Sequence, residues 1–581
     1  MEIQSPNLAI PSKPMPTAPL RSTTPAINVY VKLAQYPILC DRIRLRMREE
    51  LFQRGIIAKT DFEQEVKHLA TESQRREGLS DPLSQEDEST WQRRLEAIRD
   101  FHTDALFANN LGISLLEQIV EDILRNQHVS PNKMELTFNP EVAPWPLLFQ
   151  QGDIYDALPP PQQEKIKHHL EEIKVVLIKR LMSDQLPFIA VAKNVFAIHD
   201  LRWVYERLIG RGKIGGKASG MVLAWKILQL NREGLGPDLH SLVHVPDTFF
   251  IGSELIYEFL YLNKLERFVN QKYLPDAERQ VQYPQIVAAC MAGKLPDFLV
   301  EHLREVLVQF HGRPFIVRSS SLLEDHLDYA FAGKYATIFC PNQGMPADNL
   351  ADLLNAIRRI YASTFDPNAM REREKYGLID YDERMAIMIQ PLVGERHGRY
   401  FFPTIVGTGW SENPFHQEME ARKEDGCLRL VWGFADRIIN KEFSQQSCLI
   451  ALGRPRQPAT EPESSLAPAP QQAIKVINLE TNQFEIIPVT AVWDDMESAP
   501  DYGVTAVPTP HGPAAVLTFN RLTQDARFIK LMRHALNRLQ IIYDKPVELE
   551  FTLSLENTPT GPRYQLYILQ CHTGQSVIGK R

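Results

Sequence analysis

The 581-residue chain carries 64 Lys+Arg against 72 Asp+Glu, a formal net charge of −8, with 44% hydrophobic and 23% charged residues. That composition is ordinary for a globular protein, and the length suits about three or four domains. A mildly acidic chain has no general attraction for nucleic-acid phosphates or anionic lipid, and no run nears the roughly 18–20 apolar residues of a membrane span, so neither nucleic acid nor membrane is an expected partner.

Residues 1–28, rich in Pro, Ser and Thr, read as a disordered arm without the apolar stretch of a signal peptide. Residues 29–204 read as a mostly helical accessory domain. Leu115, Leu116, Ile119, Val120, Ile123 and Leu124 form a stripe at helical spacing, as do Ile166, Leu170, Ile173, Leu177 and Leu181 after the Pro159–Pro161 start signal. Arginines 42, 44, 46 and 48 alternate with other residues and read as a solvated helix flank. The six cysteines (Cys40, Cys290, Cys340, Cys427, Cys448 and Cys571) are widely separated, which fits buried thiols in a reducing cytoplasm rather than a zinc or disulfide framework.

Near residue 205 the texture changes. The runs VHVPDTFFI, RPFIVRSSS, MAIMIQPLV, YFFPTIVG, VELEFTLSL and YQLYILQ read as strands between helical stretches, which gives an α+β class. The Pro/Ala/Ser-rich segment 454–472 reads as a flexible insertion.

Four segments carry groups suited to chemistry. In RGKIGGKASGM (211–221) the glycines permit close backbone approach to a ligand at a helix start, and Lys217 suits phosphate oxygens; a tight turn with a solvent lysine reads equally well. The strand RPFIVRSSS delivers Arg318 and three serines to its end, before Glu324-Asp325 and FAGKYAT. In MAIMIQPLV, Gln390 interrupts an apolar strand, and Pro391 keeps it extended; an ordinary core strand would look the same. In the last pair of strands, a hairpin placing Ser554 opposite Tyr564 sets Glu550 against Ile568 and Glu548 against Gln570. Glu550 and Gln570 then become diagonal neighbours on one face, an oxygen pair suited to Mg²⁺.

Taken in order, these segments resemble the N-terminal AMP/ATP-binding domain of the pyruvate phosphate dikinase and phosphoenolpyruvate synthase family. GGKASGM is similar to its G-G-K-x-x-x-[LM] opening, VPDTFFI to V-P-x-x-F-x-I, and VRSSSLLED with FAGKYAT to V-R-S-S-x-x-x-E-D and F-A-G-x-x-x-T. GTGWSENP resembles G-V-x-F-T-x-N-P, and VELEFTLS with LYILQ resembles the closing D-I-E-[FW] and L-[YF]-x-L-Q segments. The resemblance covers roughly residues 205–575 and implies an ATP-grasp-like, two-lobed nucleotide-binding domain with ATP and Mg²⁺ as cofactors. The implied nucleotide contacts are Gly215, Gly216, Lys217, Arg318, Ser319, Gly333, Thr337, Gln390 and Val393, with Glu550 and Gln570 on the metal. Lys217, Arg318 and His572 stand at the catalytic positions. In the family this domain passes a phosphoryl group from ATP to a histidine on a swivelling domain, which hands it to pyruvate in a barrel.

The chain departs from that pattern in three respects. No segment resembles the phosphohistidine motif or the pyruvate barrel, so the expected acceptor is a phosphohistidine protein in trans or a small molecule. His572 replaces the closing arginine, and an imidazole, unlike a guanidinium, is largely uncharged at neutral pH. Gly433-Phe434-Ala435-Asp436 replaces G-L-G-E. The expected function is therefore an ATP-binding phosphotransferase module of dikinase type. The alternative is a nucleotide-binding regulator or scaffold with impaired catalysis.

Overall fold

The computed structural model describes residues 29–30, 32–33, 36, 39–77, 86–126, 139–232, 234–324, 335–417, 419–434, 448–455, 471, 473–493, 504–509, 512–517, 519–558 and 561–573. The expected arm therefore lies outside the described residues, as do Gly333, Ala435, Asp436 and most of the 454–472 insertion. The chain forms two compact units, residues 1–173 and 174–581.

The first unit is built from helices, including Cys40–Gln53, Lys59–Arg76, Glu88–Asn110 and Ile113–Asn126. Phe62, Val66 and Ala70 of the second of these pack against Leu95 and Ile98 of the third. The Asp87 carboxylate caps the third by accepting from the Thr90 amide at 2.7 Å. The alternating arginines are not all a solvated flank. Arg42 and Arg46 are exposed, but Arg44 and Arg48, one turn apart, face the neighbouring helix. Arg44 donates to Asp104 at 2.7 and 3.0 Å and to Asp100 at 3.0 Å, and Arg48 reaches the Thr103 hydroxyl.

The second unit mixes helices with several sheets. Its strands are β1 (Leu208–Ile209), β2 (Val243–His244), β3 (Phe249–Ile251), β4 (Phe315–Ser321), β5 (Thr337–Cys340), β6 (Met385–Pro391), β7 (Glu395–His397), β8 (Tyr400–Phe402) and β9 (Ile405–Trp410). They continue as β10 (Cys427–Val431), β11 (Cys448–Ala451), β12 (Ala473–Asn478), β13 (Gln483–Pro488), β14 (Val504–Thr509), β15 (Gly512–Leu517), β16 (Val547–Thr558) and β17 (Gly561–Thr573). One sheet has the order β1-β3-β6-β4-β5 and another β11-β10-β9-β16-β17-β2; β13-β12-β8-β7 and the pair β14-β15 complete the set.

Two segments that read as single strands are split by proline. VHVPDTFFI gives β2 to the six-stranded sheet and β3 to the five-stranded one, with Pro246 between; YFFPTIV divides at Pro403 between β8 and β9. Proline has no N–H to give a ladder, so each sheet ends there and the chain crosses over. At the far end of the insertion Gln471 is buried, its side chain bonding both the N–H and the C=O of Trp432.

The Gly-rich segment starts the helix Gly216–Gln229, which packs on both β4 and β17. Gly215 has φ +82°, and a Cβ there would stand 1.6 Å from the Ser320 carbonyl oxygen; a Cβ on Gly216 would stand 1.6 Å from that of Glu324. The glycines let the helix start lie directly against the backbone that follows Arg318.

The closing hairpin differs from the expected register. Ser554 opposes Gln565, Phe551 opposes Ile568, and Glu550 directly opposes Gln570. Leu569 is thus an extra residue, a β-bulge. Strict alternation would send Gln570 to the same side as the buried Leu566 and Ile568. The extra residue turns it to face with Glu550 instead.

Candidate functional site

A cavity of about 140 Å³ is lined from both of the larger sheets. Ile316, Arg318, Thr337, Phe339 and Gln390 come from the five-stranded sheet, and Val406, Thr408, Glu550, Thr552 and Gln570 from the six-stranded one. Pro246 and Pro403, the two crossing points, are in its wall. One part is apolar, with Ile316, Phe339, Leu392, Val393, Val406 and Phe434; Phe339 and Phe434 lie 5.3 Å apart by ring centroid. Gly433 lets Phe434 reach this wall, since at its φ of +81° a Cβ would meet Ile474 at 2.4 Å.

The polar part centres on Arg318, which β4 delivers from its middle. Its guanidinium donates to the Leu569 carbonyl at 3.0 Å, to Gln570 Oε1 at 3.0 Å and to Glu550 Oε2 at 3.4 Å. The last two contacts use the same nitrogen, so the Glu550 and Gln570 oxygens converge on one cationic point. Thr408 is opposite Glu550 on β9, on the same face. Lys217 is held by the Ser319 carbonyl at 3.2 Å, the Ser319 hydroxyl at 3.0 Å and Glu324 Oε1 at 2.6 Å.

Behind Lys217 lies a second carboxylate. Glu383 accepts from the Ser321 hydroxyl, and the Ser321 amide donates to Glu324 Oε2 at 2.9 Å. Burial pushes the Glu383 carboxyl up to about 7, with nearby Glu324 adding to the rise and the Ser321 bond and Arg373 opposing it. Burial, followed by the Glu383 charge, likewise raises Tyr335 well above the usual phenol range.

Of the residues singled out in the sequence, Lys217, Arg318, Thr337, Gln390, Val393, Glu550 and Gln570 line this one cavity. Gln390 directs its amide inward, donating to the Thr248 hydroxyl at 2.9 Å and to the Met221 sulfur at 3.3 Å. Gly215, Gly216, Ser319 and His572 are not in the lining; the first three support it from behind, and His572 opposes Glu548, two pairs beyond Glu550–Gln570. Sequence reasoning left Glu324, Thr408, Phe339 and the Leu569 carbonyl out of the site. For Glu324 the available signal was a carboxylate three residues after a run of serines. Among the described residues no group of three or more His, Cys, Asp and Glu could hold a metal by itself. An oxygen pair such as Glu550–Gln570 nonetheless fits a magnesium ion that takes its remaining oxygens from phosphate and water.

The family model of the pyruvate phosphate dikinase AMP/ATP-binding domain matches residues 211–579, well over half the chain. The chain belongs to that family. It is an AMP/ATP-binding module of the pyruvate phosphate dikinase family, and the matched residues include every segment that lines the cavity. The comparison with curated proteins returns no match. Among the described residues of this dikinase-family protein, no helix is long and apolar enough to cross a membrane.

Proposed function

We propose that this chain binds Mg²⁺–ATP in the cavity between the two larger sheets and transfers a phosphoryl group to a histidine of a partner protein. The observation that carries the reading is the convergence of Lys217, Arg318, Glu550 and Gln570, drawn from distant stretches, on one cavity beside an apolar wall. The base lies against Phe339, Val393 and Phe434, with Gln390 shaping the floor. Lys217, Arg318 and Thr337 face the phosphates, and Glu550 with Gln570 holds magnesium, which neutralises phosphate charge. Phosphoryl transfer depends on such positioning and charge neutralisation more than on covalent help from the protein. Residues 205–575 then form an ATP-grasp-like domain of two lobes, with the helical residues 29–204 as an accessory that docks the partner in a reducing, cytoplasmic setting. Incubating the chain with radiolabelled ATP and candidate phosphohistidine proteins tests the reading; label on a partner histidine is the expected result.

A second reading, a nucleotide-responsive regulator without turnover, is favoured by His572. It stands where the family has a fixed cation, outside the cavity lining and opposite Glu548. Under that reading ATP binds and no partner is labelled.

A further inference from the structure

We propose that a second cavity of the second unit, behind the start of the helix Gly216–Gln229, binds a short-chain carboxylate. It measures about 70 Å³ and shares no lining residue with the cavity between the two larger sheets. The same two elements separate the two spaces. Lys217 lines the larger cavity, whereas Gly216, Ser219 and Gly220, spaced to share one helix face, line the smaller. On β17, Gln570 lines the larger and Cys571 and Thr573 the smaller, since successive strand residues point to opposite sides.

Two observations point to an oxyanion. Ser219 is 2% exposed, and among the described residues its hydroxyl has no hydrogen-bond partner; the buried Thr573 hydroxyl, from β17, has none either. A buried hydroxyl without a partner costs free energy that a ligand oxygen recovers. The positive end of the helix and the Lys213 ammonium border the same space. Lys213 is 19% exposed and bonded at 2.8 Å to Asp184, which also lines the cavity but is 67% exposed. An ion pair with so exposed a partner is worth little, so a ligand anion takes the ammonium while Asp184 turns to water. The remaining wall sets the kind of anion. Met182, Phe188 and Leu322 supply hydrocarbon, and the volume holds about five to seven water-sized groups at roughly 10–15 Å³ each. A carboxylate with a tail of about two or three carbons matches that space, its oxygens toward Ser219, Thr573 and Lys213 and its tail toward the apolar side.

The test is ligand-observed saturation-transfer NMR on the full chain at constant ionic strength, with acetate and butyrate as probes and inorganic phosphate as competitor. Butyrate should bind about tenfold more tightly than acetate, the worth of two further buried CH₂ groups. Phosphate, an oxyanion without a tail, should displace butyrate no better than acetate does. Lys213→Met should weaken butyrate about tenfold and Ser219→Ala about threefold, for a lost charged and a lost neutral hydrogen bond. Lys213 is partly exposed, so its variant tests the site even if Ser219→Ala does not fold. Butyrate that binds Lys213→Met as tightly as the wild type, or the wild type no better than acetate, overturns the site. Phosphate that displaces butyrate more readily than acetate does overturns the carboxylate assignment. Absence of butyrate binding by the wild type overturns both.

Discussion

The Leu569 carbonyl accepts a hydrogen bond from the Arg318 guanidinium at 3.0 Å, and Leu569 is the one residue of β17 skipped by the register between Glu550 and Phe551. A bulge leaves its extra residue outside the regular ladder, and here that carbonyl anchors the arginine. The same guanidinium crosses from one sheet to the other, so Arg318 links the two walls of the cavity. Mg²⁺–ATP should raise the thermal midpoint of the wild type, by the equivalent of about 2.7 kcal/mol at a hundred times the dissociation constant. Lys217→Ala combined with Arg318→Ala should abolish the shift in a thermal melt. A shift that survives the pair would disprove the assigned phosphate contacts.

Removing only Lys217 takes the ammonium away from the fully buried Glu324. Lys217→Met should lower stability by about 3–5 kcal/mol, the usual consequence of stranding one partner of a buried ion pair. Adding Glu324→Gln to it should recover most of the loss. Urea unfolding of the two single variants and the double variant measures the coupling.

Gly216→Ala places a Cβ 1.6 Å from the Glu324 carbonyl oxygen, a backbone atom that cannot swing aside. The helix start must lift from β4, at a cost of about 3 kcal/mol or more by comparison with overpacked cores. A modest change in the denaturation midpoint would show that the helix sits less tightly than described.

Glu383 makes the fold sensitive to alkali. Its folded-state value of about 7 lies above the ordinary 4.5, so the neutral form is the one the fold prefers. The stabilisation is complete below about pH 4.5 and is lost as pH rises through 7. Glu383→Gln keeps a neutral group there. It should match the wild type near pH 5 and exceed it at pH 8 by on the order of 3 kcal/mol, read from melting curves at the two pH values.

His572→Arg restores a fixed positive charge next to the Glu550–Gln570 pair. If the native chain is a binder, ATP turnover with a phosphohistidine partner should appear only in this variant. If the native chain is an enzyme, turnover is present in both. A coupled assay for AMP and ADP distinguishes them.

The strands were legible because apolar stretches such as Met385–Ile389 and Phe315–Val317 leave little alternative, and the ordered motifs pointed to the residues around the cavity. Three features were not legible. Pro246 and Pro403 mark where the strands break, but which sheet each half then joins is not encoded in the local run. The bulge at Leu569 defeats any register counted by twos, so Glu550 and Gln570 were expected to be diagonal rather than directly opposed. The Lys217–Glu324 pair spans more than a hundred residues of chain and gives no local signal. The arginines of the first unit teach a similar lesson, since Arg44 and Arg48 take their partners from another helix while Arg42 and Arg46 do not.

Prolines 246, 391 and 403 in the cavity wall present hydrocarbon and have no amide hydrogen. A wall made this way strands no donor when a flat, greasy ring displaces water from it, and needs none satisfied when water returns. The backbone at these three positions can be dry beneath a ring and wet without one, with no rearrangement.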